Sequence, residues 1–384
     1  MSFDFATASR IIFGIGTVKD AGKLASQFGC NAFLISSCGG ADPSQLMDIL
    51  KTAGIHYSSI AVCGEPTVGF VLEAVQAAKK NQCDLVISFG GGSVIDTGKA
   101  VAAMLTNPGD LMDYLEVVGR GRPLLQPSMP MMAIPTTAGT GSEVTRNAVL
   151  AAPEQQVKVS LRSPLMLPRL ALVDPELTFG LPPAITASTG MDALTQVIEP
   201  YVSVRANEMV DLYCREGIMR AARSLKLVYH HGDYGQGRVD MAWASLLGGL
   251  CLANAGLGAA HGFAAPIGGM FTAPHGAVCA RLLPFVVEAN CWALRERQPE
   301  NPVIARYAEI AGILCNNNDA SVEDGIEWLK QLCSDLQIPP LSDYGVRKAD
   351  IGIIVQKSTA ASSMKANPIQ LTATEMADIL EKAL

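Results

Sequence analysis

Residues 84–105, DLVISFGGGSVIDTGKAVAAML, pass from a short apolar run through three glycines and a serine directly into a helical pattern, and that order sets the fold. DLVISFG at 84–90 has the length and composition of a buried strand, and VIDTGKAVAAML has helical spacing. Gly90, Gly91, Gly92 and Ser93 form the turn between them. Glycines at a strand-to-helix turn let a phosphate approach the backbone closely, while the first helical turn offers it unpaired N–H groups and the positive end of the dipole. As a bare string GGGS also fits an ordinary tight turn. Its place between strand and helix is what points to a pyrophosphate cradle.

The same alternation extends on both sides. NAFLIS at 31–36 and SSIAVC at 58–63 read as strands, and SQLMDILKTAG at 44–54 and VGFVLEAVQAAKKNQ at 68–82 as helices. PMMAIPT at 130–136 is a further strand, followed by a loop rich in hydroxyls and glycine, Pro135-Thr136-Thr137-Ala138-Gly139-Thr140-Gly141-Ser142, suited to phosphate, ribose or nicotinamide amide. RLALVDPEL at 169–177 ends the pattern. Strand and helix in turn predict an α/β domain over residues 1–180 with a Rossmann-like parallel sheet, binding a dinucleotide beyond the carboxyl ends of its strands. From Leu181 onward the segments PPAITASTGMDALTQVIEPYV, EMVDLYCREGIMRAARSLK and MAWASLLGGLCLANA carry helical periodicity with little strand signal. An all-α domain over residues 181–384 is expected.

Composition excludes several classes of function. Apolar residues are 49% of the 384 and charged ones 17%, enough for two large cores. The net charge of −7, with no long run of either sign, offers no basic footprint for nucleic acid or an anionic membrane. No uninterrupted apolar run reaches the ~18 residues of a bilayer span, and the first ten residues, MSFDFATASR, lack a basic region followed by an apolar block. A cytoplasmic protein acting on a small molecule is expected. The ten cysteines form no CxxC pair and read as reduced, mostly buried thiols.

His261 and His275 bound the stretch HGFAAPIGGMFTAPH in a chain with five histidines. Glycine, proline and small residues between them let two rings turn into one place, with Asp192 upstream as carboxylate partner. Imidazole nitrogen and carboxylate oxygen suit Zn²⁺ or Fe²⁺, and a catalytic ion needs three protein ligands plus an open position. A single histidine near an apolar run is more often a hydrogen-bonded core residue, so the pair and its carboxylate carry the reading together.

Five blocks, GGGSVIDTGKA, PTTAGTGSEVT, KVSLRSPLMLPRLALVDPELTFGLPP, ASTGMDALTQVIEPY and GLGAAHGFAAPIGGMFTAPHG, resemble in order and spacing the signature blocks of the iron-containing (group III) alcohol dehydrogenases. The resemblance runs from Phe13-Gly14-Ile15-Gly16 to Asn367-Pro368. It implies an architecture like that of dehydroquinate synthase, a divalent metal in the cleft, NAD(P)-dependent interconversion of alcohols with aldehydes or ketones, and a homodimer. Carried over by position, Gly91, Gly92 and Ser93 take the pyrophosphate, Asp96 lies toward the nicotinamide, Thr136 and Thr137 surround adenine and ribose, and Asn147 and Lys158 line the same cleft. Ser37 stands where the family often has an aspartate that repels the 2′-phosphate of NADP, so either NAD or NADP is expected.

The chain departs from that pattern at the metal. Asp192, His261 and His275 match ligand positions, but Gln196 occupies the place of a histidine four residues after Asp192, and a neutral amide coordinates weakly or only orients a bound water. Ala265 occupies the place of a further histidine able to relay a proton. Three outcomes stay open: a metal enzyme of the alcohol dehydrogenase type, a reductase of another carbonyl compound such as a maleylacetate-like acid with weak or absent metal, and a non-catalytic nucleotide-binding paralogue. His56, His230 and His231 take no role, and Lys99 and Arg146 read as solvated or ion-paired surface groups.

Overall fold

A computed structural model describes residues 2–384, which divide into two compact units, residues 6–179 and residues 180–384 together with residues 2–5. In the first unit the strands are β1 (Ile11–Phe13), β2 (Asn31–Ser37), β3 (His56–Val62), β4 (Leu85–Gly90), β5 (Met131–Pro135), β6 (Asn147–Ala152), β7 (Val157–Arg162) and β8 (Leu170–Val173). The helices are α1 (Ala21–Ala25), α2 (Ser44–Thr52), α3 (Val68–Lys80) and α4 (Gly92–Thr106). Six strands form one parallel sheet in the order β1-β8-β5-β4-β2-β3.

Successive side chains of each central strand go to opposite cores. Phe33 and Ile35 of β2 and Val86 of β4 pack with Val71 and Val75 of α3 and Ile95 and Val101 of α4. Ala32, Leu34, Leu85, Ile87 and Phe89 pack on the other face with Leu24 of α1 and Leu46 and Leu50 of α2. With both faces covered, a strand has no polar side, which is why these segments read as unbroken apolar runs. The β2 strand pairs with β3 on one side and β4 on the other, so the connections reverse direction there and open a crevice at the carboxyl ends of β2 and β4.

Three features depart from the sequence expectations. An antiparallel hairpin, β6 with β7, follows the Thr/Gly loop and buries Ala148, Leu150, Val159 and Leu161 in the α4 core. Cys38 and Cys63, directly after β2 and β3, form a disulfide, so these two are not reduced thiols. Parallel pairing through Ser37 and Val62 leaves the two cysteines abreast beyond the sheet, a juxtaposition that 25 residues of separation do not reveal. Lys99 is not a surface group: it is fully buried in α4.

The second unit is built of α5 (Pro183–Val202), α6 (Glu208–His230), α7 (Gly235–Ala255), α8 (Ala259–Met270), α9 (His275–Arg297), α10 (Val303–Cys315), α11 (Val322–Asp335), α12 (Ile351–Thr359) and α13 (Ala373–Ala383). The α5 helix is buried along nearly its whole length, from Thr186 to Val202. Gly217 of α6 and Gly248 of α7 admit their neighbours closely: a Cβ there would lie 2.6 Å from Val197 and 3.1 Å from Gln196. One helix, α9, is long and apolar enough to cross a membrane by composition, yet most of its apolar stretch is buried inside the unit.

Candidate active site

In the α/β unit the two loops expected to hold a nucleotide emerge from adjacent strands, β4 and β5. Gly91 caps α4, and the first bonds of the helix run from the N–H groups of Val94 and Ile95 to its carbonyl, so the N–H groups of Gly92 and Ser93 point out of the first turn. A Cβ at Gly91 would sit 3.1 Å from Thr137, and one at Gly92 would sit 2.9 Å from Thr140. Glycine is therefore what lets the two loops close on each other. Thr136 is buried and Thr137 half-buried at the same edge, and Ser37 ends β2 across the crevice.

Asp96 and Lys99, one turn apart on α4, fix the second loop. The Lys99 ammonium lies 2.9 Å from Asp96 and donates to the Ser142 carbonyl and hydroxyl, the Thr145 hydroxyl and the Asn147 carbonyl. Asp96 in turn accepts from the Ser142 hydroxyl and from the Val149 N–H at 2.9 Å. Burial depresses the lysine, with Asp96 and Glu143 pulling the other way. Burial also raises the Glu143 carboxyl to about 7, against the backbone hydrogen bond and Lys99 that lower it. Lys158, on β7, pairs with Glu65 at 2.9 Å.

In the helical unit, Asp192, His261 and His275 come together from α5, α8 and α9. Asp192 Oδ1 lies 3.2 Å from His261 Nε2 and 3.9 Å from His275 Nε2, and the two rings are 5.3 Å apart. Two partners invisible to the sequence reading complete the cluster. Cys279, one turn beyond His275 on α9, places Sγ 3.8 Å from His275 Nε2. Glu199, two turns beyond Asp192 on α5, lies 2.6 Å from His261 Nδ1 and accepts the Ala260 N–H at 2.7 Å. The Asn367 side chain, itself paired with Asn290, accepts the Ala259 N–H. The α8 amino terminus is thereby fastened at two bonds, and His261 with it. Helical spacings of four and seven were the available signals for Cys279 and Glu199.

With Nδ1 held by a carboxylate, His261 offers Nε2 to the cluster, the arrangement that orients metal-bound imidazoles. Burial alone would lower the His261 ring, but Cys279, Glu199 and Asp192 outweigh it and hold the ring well above its ordinary range. Burial would raise Asp192 and Cys279, but the two imidazoles outweigh it and hold both below theirs. The four donor atoms lie within 4.8 Å of one another, the spread a single divalent ion can span. Donor chemistry and geometry both fit a metal. Gln196 is buried on the same helix between Asp192 and Glu199, and Ala265 is half-buried on α8.

The sequence and the fold both have known counterparts. Residues 8–175 match the family described as iron-containing alcohol dehydrogenase, and residues 186–384 match the C-terminal part of the Fe-containing alcohol dehydrogenase family. Alcohol dehydrogenase 4 of Schizosaccharomyces pombe is 35% identical over 99% of this chain and 89% of its own. The crystal structure of a 1,3-propanediol oxidoreductase superposes with a TM-score of 0.92 at 33% identity, covering 100% of both chains. That of sulfoacetaldehyde reductase from Bifidobacterium kashiwanohense in complex with NAD+ gives 0.86 at 25% identity, covering 100% of this chain and 99% of that one. Two successive matches, a parallel-sheet unit followed by a helical unit, and a carboxylate–imidazole cluster in the latter agree: the chain belongs to the iron-containing alcohol dehydrogenase family.

Proposed function

We propose that the protein is an NAD(P)-dependent alcohol dehydrogenase and aldehyde reductase, acting on a small alcohol or carbonyl compound with the help of a divalent metal. The observation that carries this reading is the convergence of Asp192, His261 and His275, with Glu199 fixing the tautomer of His261. Asp192, His261 and His275 would hold the ion. The Gly91–Ser93 turn would take the pyrophosphate, Thr136 and Thr137 the adenosine side, and Ser37 the ribose hydroxyls. When bound, the metal supplies a Lewis acid for the carbonyl oxygen and the nicotinamide supplies the hydride.

The remaining work falls to the chain's own groups. Asp96 and Lys99 act as positioning residues, holding the Ser142–Asn147 segment on α4 so that the Thr136–Thr140 loop stays closed over the glycine turn. Ala265 offers no proton. His275, with a third of its side chain exposed, marks where water reaches the cluster, and proton exchange with solvent is assigned to that side. Ser37 carries no charge to repel a 2′-phosphate, so both NADH and NADPH are accepted.

A panel of aldehydes and ketoacids, run with each cofactor and with Zn²⁺ or Fe²⁺ added, tests this. Turnover is expected with at least one aldehyde, and His261→Ala should lower kcat/KM by at least ~100-fold, several kcal/mol of lost charge stabilisation. Nucleotide binding with no turnover under any of these conditions would instead identify a non-catalytic paralogue.

A further inference from the structure

We infer that Cys279 is a fourth protein ligand to the ion, taking the place of the imidazole missing at Gln196, and that the set Asp192, His261, His275 and Cys279 selects zinc over iron. The inference rests on the metal-dependent reading above and deepens it. Among the described residues, eight cysteines are free, and Cys279 is the one whose sulfur is grouped with a carboxylate and two imidazoles. Its position is fixed by two things. Four residues from His275 it occupies the same face of α9, and a Cβ on the intervening Gly276 would lie 3.2 Å from the Asp192 Cβ, so that turn of α9 packs directly on α5.

The donor chemistry then discriminates between metals. A buried thiol could simply fill space, but one 3.8 Å from an imidazole nitrogen that also faces a carboxylate stands where a ligand stands. As the metal–sulfur bond forms, the thiol proton leaves to the buffer and the thiolate donates its electron pair. Two nitrogens, one oxygen and one sulfur suit borderline-soft Zn²⁺, which expands to five-coordinate to admit the substrate oxygen, whereas Fe²⁺ lies lower in the divalent affinity order. The charges change too. With a divalent ion, one carboxylate and one thiolate sum to a neutral site, where one carboxylate and three imidazoles leave a single positive charge. The ion is held more tightly and is a weaker Lewis acid for it.

The test uses the full chain, stripped by a chelator and reloaded with Co²⁺ or Zn²⁺, with absorption spectroscopy on the cobalt form and X-ray absorption on the zinc form. The expected result is a near-ultraviolet sulfur-to-cobalt charge-transfer band, a Zn–S shell at about 2.3 Å, and loss of the band in Cys279→Ser. Zinc affinity in that variant should fall by more than the ~10–100-fold typical of losing an outer partner. Metal bound through nitrogen and oxygen alone, or a band that survives in Cys279→Ser, overturns the assignment of Cys279 while leaving the proposed function standing. Failure to bind either metal overturns both. The spectra of the unmodified protein decide the matter even if the variant does not fold.

Discussion

Glu199 shows how much of this site depends on one carboxylate, whose partners are a ring nitrogen and a backbone N–H. One oxygen holds His261 Nδ1 and the other accepts from the backbone of Ala260, so ring orientation and helix start are set by the same group. Glu199→Gln keeps the shape and removes the charge. Zinc affinity, read by competition with a chromophoric chelator, is expected to fall ~10–100-fold while far-ultraviolet circular dichroism is unchanged. A variant that binds zinc as tightly as the parent would leave Glu199 only its capping role. His261 and His275 stand out in the sequence as candidates because polar groups there interrupt runs of glycine, alanine and proline, and Asp192 through the block ASTGMDALTQVIEPY. Glu199 and Cys279 did not stand out, because spacings of seven and four are common on helices, and a glutamate near the end of a helix and one cysteine among ten are ordinary until their neighbours in space are known.

At the scale of elements, the α4 helix is the part that joins fold and site. Its amino terminus is the proposed phosphate cradle, and one turn further Asp96 and Lys99 fasten the neighbouring loop to it. A fully buried ammonium persists only because every direction it faces offers an oxygen, and removing it strands Asp96. Lys99→Met should therefore destabilise the protein by ~3–5 kcal/mol, the range for breaking a buried pair from one side. Adding Asp96→Asn should return part of that loss, a non-additivity measurable from urea midpoints. The lysine read as a surface group because the helix around it, VIDTGKAVAAML, has its polar residues on consecutive turns. The partners that bury it belong to the β6 hairpin and the turn before it, and that hairpin escaped the sequence reading. NAVLAA and VKVSLR are six residues each, joined by PEQQ, too short and too mixed in character to separate from loop before the Leu150 and Val159 sides are seen facing α4.

For the molecule as a whole, the two-part architecture was legible because period and length change together near residue 180, from short apolar runs to long helical ones. Pairings between distant strands were not, and with them went the Cys38–Cys63 bridge. The response of stability to pH is likewise a property that only the folded arrangement contains. Glu143 has an ordinary value of 4.5 and about 7 in the fold, chiefly through burial. Between those values the folded protein holds a proton that the unfolded chain has released, so stability falls as pH rises across that window and is level above it. The loss attributable to this one group is at most about 3 kcal/mol. Asp192, and Asp240 of α7, which accepts from Arg223 and Ser224, are held below their ordinary 3.8 against burial and act only in the acid, where their stabilisation is lost as pH falls. Lys99 is depressed from 10.5 and adds an opposite slope on the alkaline side. His261 and His275, held above their ordinary 6.5, slope the same way as Glu143 from that value upward, so denaturation midpoints should be higher near about pH 5 than near about pH 8. Glu143→Gln should reduce that difference, leaving the part due to the two histidines, and raise stability at the higher pH, because a neutral amide avoids the cost of burying a carboxylate. A parent and variant with the same slope through this window would mean that Glu143 finds water or a partner in solution.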